Sequence, residues 1–232
     1  SLFVDDHDAD ITPVAGLPIQ LSFYKRNTFR HIDHARLLSR LQAQGTTVLS
    51  VHAPAADIYH SHGDEFISML EMIKNAYGVR VITVHPQRGE RRQAKALYKK
   101  IESRIQSLDI IIAYETFESF HEDRKRITQV EDMHRYFDAL RLPFLGVTYD
   151  FTHADASRTL LEIRHFGKHI HAVHFSDARS NRIPDDNEKH QHLPLGYGDF
   201  PVLEFLDSLL ETGYAGYLIL EYMPQYHDLL KD

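Results

Sequence analysis

The chain has 232 residues, of which 43% are hydrophobic and 25% charged, with a formal net charge of −7, 17 histidines and no cysteine. That length suits one domain with a buried core. The missing thiols exclude disulfide scaffolds, thiolate zinc fingers, iron–sulfur clusters and cysteine nucleophiles, so any metal must be held by nitrogen and oxygen. No apolar run reaches the roughly 18 residues of a membrane span and no secretory leader pattern opens the sequence, so a cytoplasmic protein with no membrane partner is expected; the acidic balance offers no broad footprint for a nucleic-acid backbone.

Residues 2–5 form the earliest strand candidate, but only about 13 residues separate them from the next strand, too few for a full crossover helix. Short runs rich in β-branched and aromatic residues then predict strands at 19–24, 47–53, 79–85, 110–116, 144–150, 170–177 and 217–222. Most are continuously apolar, as parallel strands covered on both faces must be. Between them, apolar residues at three-and-four spacing predict helices at 31–44, 62–76, 91–106, 129–140, 155–166 and 201–212. This alternation predicts a (β/α)8 TIM barrel over residues 1–232 with a truncated or irregular first βα unit, and no Gly-rich dinucleotide or phosphate loop follows the early strands. The polar segment 178–199 reads as a functional loop, because irregular stretches of this length are uncommon in compact folds.

Position makes the ionisable residues informative. Six successive strands end in His52, His85, Glu115, Asp150 (with His153 close behind), His174 and Glu221. The C-terminal rim of a barrel is where side chains from different strands converge over the mouth, so these residues are expected to share one site. Imidazole mixed with carboxylate suits zinc, manganese, iron or cobalt better than calcium or magnesium. His190 and His192, in the long loop, bring the candidate histidine ligands to six, more than a single ion uses with the three carboxylates, so more than one metal is expected. The other eleven histidines, among them His31, His34, His60, His62 and His134, are read as surface residues.

At these residues the sequence resembles the xylose isomerase-like TIM-barrel superfamily, which contains endonuclease IV and the sugar isomerases and epimerases. The resemblance rests on His52, His85-Pro86, Glu115, Asp150 with His153, His174 through Asp177-Ala178-Arg179-Ser180, His190 and His192 ahead of Leu195-Gly196-Tyr197-Gly198, and Glu221. All nine positions of the trinuclear zinc centre of endonuclease IV carry metal-capable residues, although His190 stands where that pattern has Asp. Ala53-Pro54-Ala55-Ala56 also replaces the segment in which the endonucleases place an intercalating Tyr.

Two activities are implied by the resemblance. The leading one is hydrolysis of a phosphodiester at abasic sites in DNA by about two or three zinc ions. There His52, His85 and Glu115 serve one ion, Glu115, Asp150, His174 and Glu221 a second, and His153, His190 and His192 a third. Arg88, Arg91 and Arg92 or Lys25 and Arg26 would supply local basic contacts. The alternative is isomerisation or epimerisation of a sugar or sugar phosphate. In that case Glu115, Asp150, His174 and Glu221 hold one divalent ion, with Mn2+ or Co2+ serving as well as Zn2+. Glu115 and Glu221 are the expected catalytic carboxylates in either case, and Arg179 and Asp177 the expected substrate contacts.

Overall fold

The computed structural model describes residues 1–23, 25–55, 63–85, 91–116, 142–153, 159–179, 191–223, 225–226 and 229. Eight parallel strands run in chain order through one sheet: β1 (Leu2–Phe3), β2 (Pro18–Ser22), β3 (Thr47–His52), β4 (Val81–Val84), β5 (Ile111–Glu115), β6 (Leu145–Asp150), β7 (Ile170–Phe175) and β8 (Tyr217–Leu220). The sheet curls far enough for the main-chain nitrogen of Ser1, beside β1, to donate to the Leu220 carbonyl of β8. Among the described residues six helices accompany the strands: α1 (Arg26–His31), α2 (His34–Ala43), α3 (Asp64–Tyr77), α4 (Arg91–Leu108), α5 (Thr159–Phe166) and α6 (Val202–Glu211). The helix predicted at 129–140 lies outside the described residues. Among the described residues no helix is long and apolar enough to cross a membrane.

The irregular opening follows from its sequence. β1 pairs with β2, Leu2 opposite Leu21 and Phe3 opposite Ser22. The link between them holds a three-residue 3-10 turn, Thr12–Val14, with Pro13 inside it, in place of a crossover helix. The helix predicted at 31–44 is α2, which starts three residues later behind Asp33, whose carboxylate accepts the Arg36 N–H at 3.0 Å as an N-cap; α1, just before it, was not predicted.

The apolar runs are buried as expected. Every residue of β6 is buried, and α3 turns Phe66, Ile67, Leu70 and Ile73 onto the sheet. Inside the curl, residues two apart share a face and rise in layers. Val81, Ala113, Ala172 and Ile219 form a small apolar cluster at the bottom. Above it comes a hydroxyl layer, where Thr83 Oγ1 lies 2.8 Å from Thr148 Oγ1 and accepts from Gln20 Nε2 at 3.3 Å. The next residues on the same faces are His85, Glu115, Asp150, His174 and Glu221. Register matters for His174: Val147 pairs with Ile170 but Thr148 with Ala172, leaving His171 as an extra residue in β7. That bulge changes the parity of β7, so that Ala172 and His174 face inward.

Among the described residues, His171, in the β7 bulge, and His34 depart from their expected surface positions. His34 is half-buried, with Nδ1 2.6 Å from the Tyr77 hydroxyl and Nε2 3.0 Å from the Phe29 carbonyl, and its ring packs on Phe23 and Phe29. Its spacing in an amphipathic helix concealed that role, because the partners come from other elements.

Candidate metal centre

The strand ends bring the predicted ligands together in three linked groups. They are His52, His85 and Glu115; Glu115, Asp150, His174 and Glu221; and Asp150, His153 and His192, with the potential ligand atoms of each group within 4.8 Å of one another. Glu115 and Asp150 each belong to two groups. His190 lies outside the described residues.

Glu115 is the hub. Its Oε1 lies 2.8 Å from His174 Nδ1, while Oε2 lies 3.2 Å from His52 Nε2 and 3.1 Å from His85 Nε2. Burial alone would raise its pKa, but the charge of His52 and hydrogen bonds with His174, His52 and His85 hold it well below the ordinary carboxylate range. His85, in turn, is lowered by burial and raised more by its hydrogen bond to Glu115 and that carboxylate's charge.

His174 sits at the centre, fully buried. Its Nδ1 faces three carboxylates: Glu115 and Glu221 at 2.8 Å each and Asp150 at 3.6 Å. Burial opposes its charged form, yet the Glu221 charge and the close carboxylates of Asp150, Glu115 and Glu221 push its pKa well above the usual histidine value. The same interactions act on its partners. Asp150 and Glu221 would both be raised by burial; His153, His174 and His192 hold Asp150 below its usual value, and His174 and His192 hold Glu221 far below its own.

These contacts test whether a cation fits. A single imidazole nitrogen can direct only one proton at three carboxylates, and three buried negative charges so close require more positive charge than it can give. Asp150 is divided accordingly. Its Oδ1 accepts from Thr152 N–H at 2.8 Å, Thr152 Oγ1 at 2.9 Å and His153 N–H at 3.1 Å, while Oδ2, 3.3 Å from His153 Nδ1 and 3.6 Å from His174 Nδ1, meets no donor in hydrogen-bond geometry. His192 Nδ1 is likewise buried without a hydrogen-bond partner, 4.0 Å from Glu221 Oε2. An oxygen and a nitrogen left unsatisfied beside a carboxylate cluster are donors suited to a divalent ion. His153 Nδ1 lies 3.1 Å from the Thr116 carbonyl, and its ring stands perpendicular to that of His192 at 5.3 Å between centroids.

The ligands open into a cavity of about 230 Å³ lined by His52, His85, Glu115, His153, His192 and Glu221, and closed on the other side by Phe3, Ser22, Phe23, Tyr222 and Met223. The second set was not singled out from sequence, although Phe3, Ser22 and Tyr222 occupy the ends of β1, β2 and β8, the same positional signal that marked the ligands. Thr152 and Thr116 were also missed. Thr116 Oγ1 accepts the Asp150 N–H at 2.8 Å, and hydroxyl residues beside a strand-end acid carry no distinctive pattern.

Asp177, expected to touch substrate, does not line this cavity. It is buried, and both carboxylate oxygens are occupied by main-chain N–H donors of residues 178, 196, 198 and 200. Arg179 is exposed. The bases expected at 88 lie outside the described residues, whereas Arg26, at the start of α1, pairs with Glu65 of α3.

Comparisons agree with this architecture. No curated protein sequence matches the chain. Among solved structures, a D-tagatose 3-epimerase-like protein superposes with a TM-score of 0.65 at 17% identity, covering 91% of this chain and 85% of that one. An L-ribulose 3-epimerase gives 0.63 at 17%, covering 90% and 72%. The 3-keto-D-glucoside 4-epimerase YcjR from E. coli gives 0.65 at 13%, covering 91% and 87%. These likenesses establish the TIM-barrel fold. A family model described as xylose isomerase-like TIM barrel matches residues 15–230, nearly the whole sequence, and the chain therefore belongs to that family.

Proposed function

We propose that the protein is a divalent-metal-dependent isomerase or epimerase of a sugar or sugar phosphate, with Glu115 and Glu221 as its acid–base pair. The observation that carries this reading is the buried group Glu115, Asp150, His174 and Glu221 at a cavity of small-molecule size, with both glutamates 2.8 Å from one imidazole nitrogen. The structural relatives reported above are named for sugar epimerisation, which supports it over the expected hydrolysis of abasic DNA.

When bound by these four residues, a divalent ion such as Mn2+, Co2+ or Zn2+ would polarise a carbonyl and hold the neighbouring hydroxyl. The remaining work belongs to the side chains. One glutamate, ionised at neutral pH, removes the proton from the carbon beside the carbonyl and becomes the acid; the other, once it has taken up a proton from solvent or a substrate hydroxyl, returns it to carbon. Return to the opposite face of that carbon inverts it; return to the adjacent carbon isomerises the sugar. His52 and His85 fix the Glu115 carboxylate through Oε2. Phe3, Phe23 and Tyr222 wall the cavity against water, and Arg179 is the candidate cation for a substrate phosphate.

The test is incubation of the Mn2+- or Co2+-loaded protein with a panel of ketoses and their phosphates in D2O. Deuterium should enter the carbon next to the carbonyl of at least one substrate, and Glu115→Gln should abolish it. Absence of exchange across the panel in fully metallated protein would refute the reading.

A second reading has one observation in its favour. The groups His52–His85–Glu115 and Asp150–His153–His192 border the first, as a multinuclear zinc hydrolase requires. Nicking of an abasic-site duplex by protein holding about three zinc ions, lost on chelation, would select it.

A further inference from the structure

We infer that Asp177 is the positioning residue of the site, a carboxylate clamp that holds the loop carrying His192 against the metal-binding groups. Its Oδ1 accepts from the N–H groups of Ala178 at 2.8 Å and Phe200 at 3.2 Å, and its Oδ2 from Gly196 at 3.0 Å and Gly198 at 2.9 Å. Four main-chain donors, three of them from residues 196–200, thus converge on one buried side chain. Charge-assisted bonds of this kind are the strongest available to a loop.

The loop is built to fit the clamp. Gly196 has φ +86°, a left-handed conformation that turns its N–H towards Oδ2. A Cβ on Gly198 would lie 2.2 Å from the Ala178 carbonyl oxygen and 2.3 Å from Asp177 Oδ1, so only glycine can bring its N–H this close. The paired glycines of the Leu195-Gly196-Tyr197-Gly198 segment are therefore explained by Asp177 rather than by contact with a ligand.

His192 is the side chain this arrangement delivers. Asp177 and Leu193 form an antiparallel bridge, with Asp177 N–H to Leu193 O at 2.8 Å and Leu193 N–H to Asp177 O at 2.9 Å. On the other side, the His192 carbonyl accepts the Met223 N–H at 3.1 Å. Between these anchors His192 adopts φ +52°, uncommon for a residue other than glycine, and aims its unsatisfied Nδ1 at Glu221. Strain of this kind persists only where the surroundings over-determine it, and the clamp supplies that constraint.

The inference rests on the site assigned above but not on its substrate, and its test reads no sugar turnover. Asp177→Asn keeps the size while presenting an amide that cannot accept from all four donors. In the metal-free variant the amides of Gly196 and Gly198 should lose their protection from hydrogen exchange. Co2+ titration followed by visible absorption should find the binding step that uses His192 weakened by about 10- to 100-fold, as loss of outer support does at metal sites. A clamp that acts through His192 must cost little more in a His192→Ala background. An equal further loss there, or unchanged protection of Gly196 and Gly198, would overturn the inference. Should Asp177→Asn fail to fold, Gly198→Ala displaces the same loop with the carboxylate intact; it should reproduce the Co2+ defect, and wild-type Co2+ binding by that variant would equally overturn the inference.

Discussion

A methyl group added at Gly146 should disturb the site from the bottom of the barrel. An ideal Cβ there would lie 2.2 Å from His171 Cδ2 and 3.0 Å from both His171 Nε2 and Ile111 Cγ2. Carbon atoms in contact settle near 3.5 Å, so the imidazole must retreat by more than about 1 Å. Ile111 Cγ2, at 3.0 Å from the same position, tightens the fit further. Overpacking of this kind costs about 1–3 kcal/mol. At roughly 2–4 °C per kcal/mol for a protein of this size, Gly146→Ala should lower the melting temperature by roughly 2–12 °C. Since His171 is the bulged residue that sets the inward parity of His174, Co2+ affinity should fall as well. Thermal unfolding and Co2+ titration of Gly146→Ala, His171→Ala and the double variant provide the assay. Removing the ring should rescue most of the loss. A Gly146→Ala protein as stable as wild type, or an equal loss in the His171→Ala background, would refute the link between glycine, bulge and site.

Two further predictions concern buried polar groups outside the centre. Burial, the largest influence, lowers the His34 pKa despite the Phe29 carbonyl and the Asp33 charge, so the folded protein binds a proton at His34 less readily than the unfolded chain does. Its contribution to stability is present above about pH 6.5 and is lost as pH falls below that value. The stability difference between wild type and His34→Gln, measured by urea denaturation at several pH values, should therefore shrink on acidification; a difference that grows instead would contradict the assignment. The Tyr149 hydroxyl donates to Glu162 Oε2 at 3.0 Å with both side chains buried. Tyr149→Phe should cost about 1–3 kcal/mol in the same measurement, the range for withdrawing a donor from a buried charged acceptor.

Much of the site was legible because strand ends are legible. A continuous apolar run that stops at His, Asp or Glu fixes the strand, its C-terminal end and the position of the polar side chain together, and β3, β5 and β6 end at His52, Glu115 and Asp150. The bulge at His171 escaped notice since nothing in 170–177 distinguishes an extra residue from regular alternation, and His174 reached the site only because the strand was placed by its end. Asp177 shows the converse weakness. An acid three residues after a ligand looks like a substrate contact, while its four donors are main-chain groups, which leave no trace in side-chain patterns. The choice of substrate was read from spare histidines towards DNA, whereas the cavity beside them is of small-molecule size.

The shared carboxylates allow the order of metal binding to be argued. The group of Glu115, Asp150, Glu221 and His174 offers three carboxylates, whereas each neighbouring group offers one carboxylate, borrowed from the first, and two imidazoles. A divalent ion is drawn first to the greater negative charge, and once there it neutralises the Glu115 and Asp150 charge that the other groups would use. The first ion should therefore bind tightly and later ones much more weakly. His85→Ala, which leaves all four residues of the first group intact, should keep the first binding step within a few-fold of wild type and weaken a later one. Glu221→Gln should instead weaken the first step by about 10- to 100-fold or more. Calorimetric titration of the metal-free protein with Co2+ distinguishes the steps, and a first step lost in His85→Ala would refute the assignment of charge. The same titration bears on function, because proton exchange at a sugar carbon needs only the first ion. Turnover that saturates at one ion per chain accords with the epimerase reading, and turnover that rises only with the later ions requires the hydrolase.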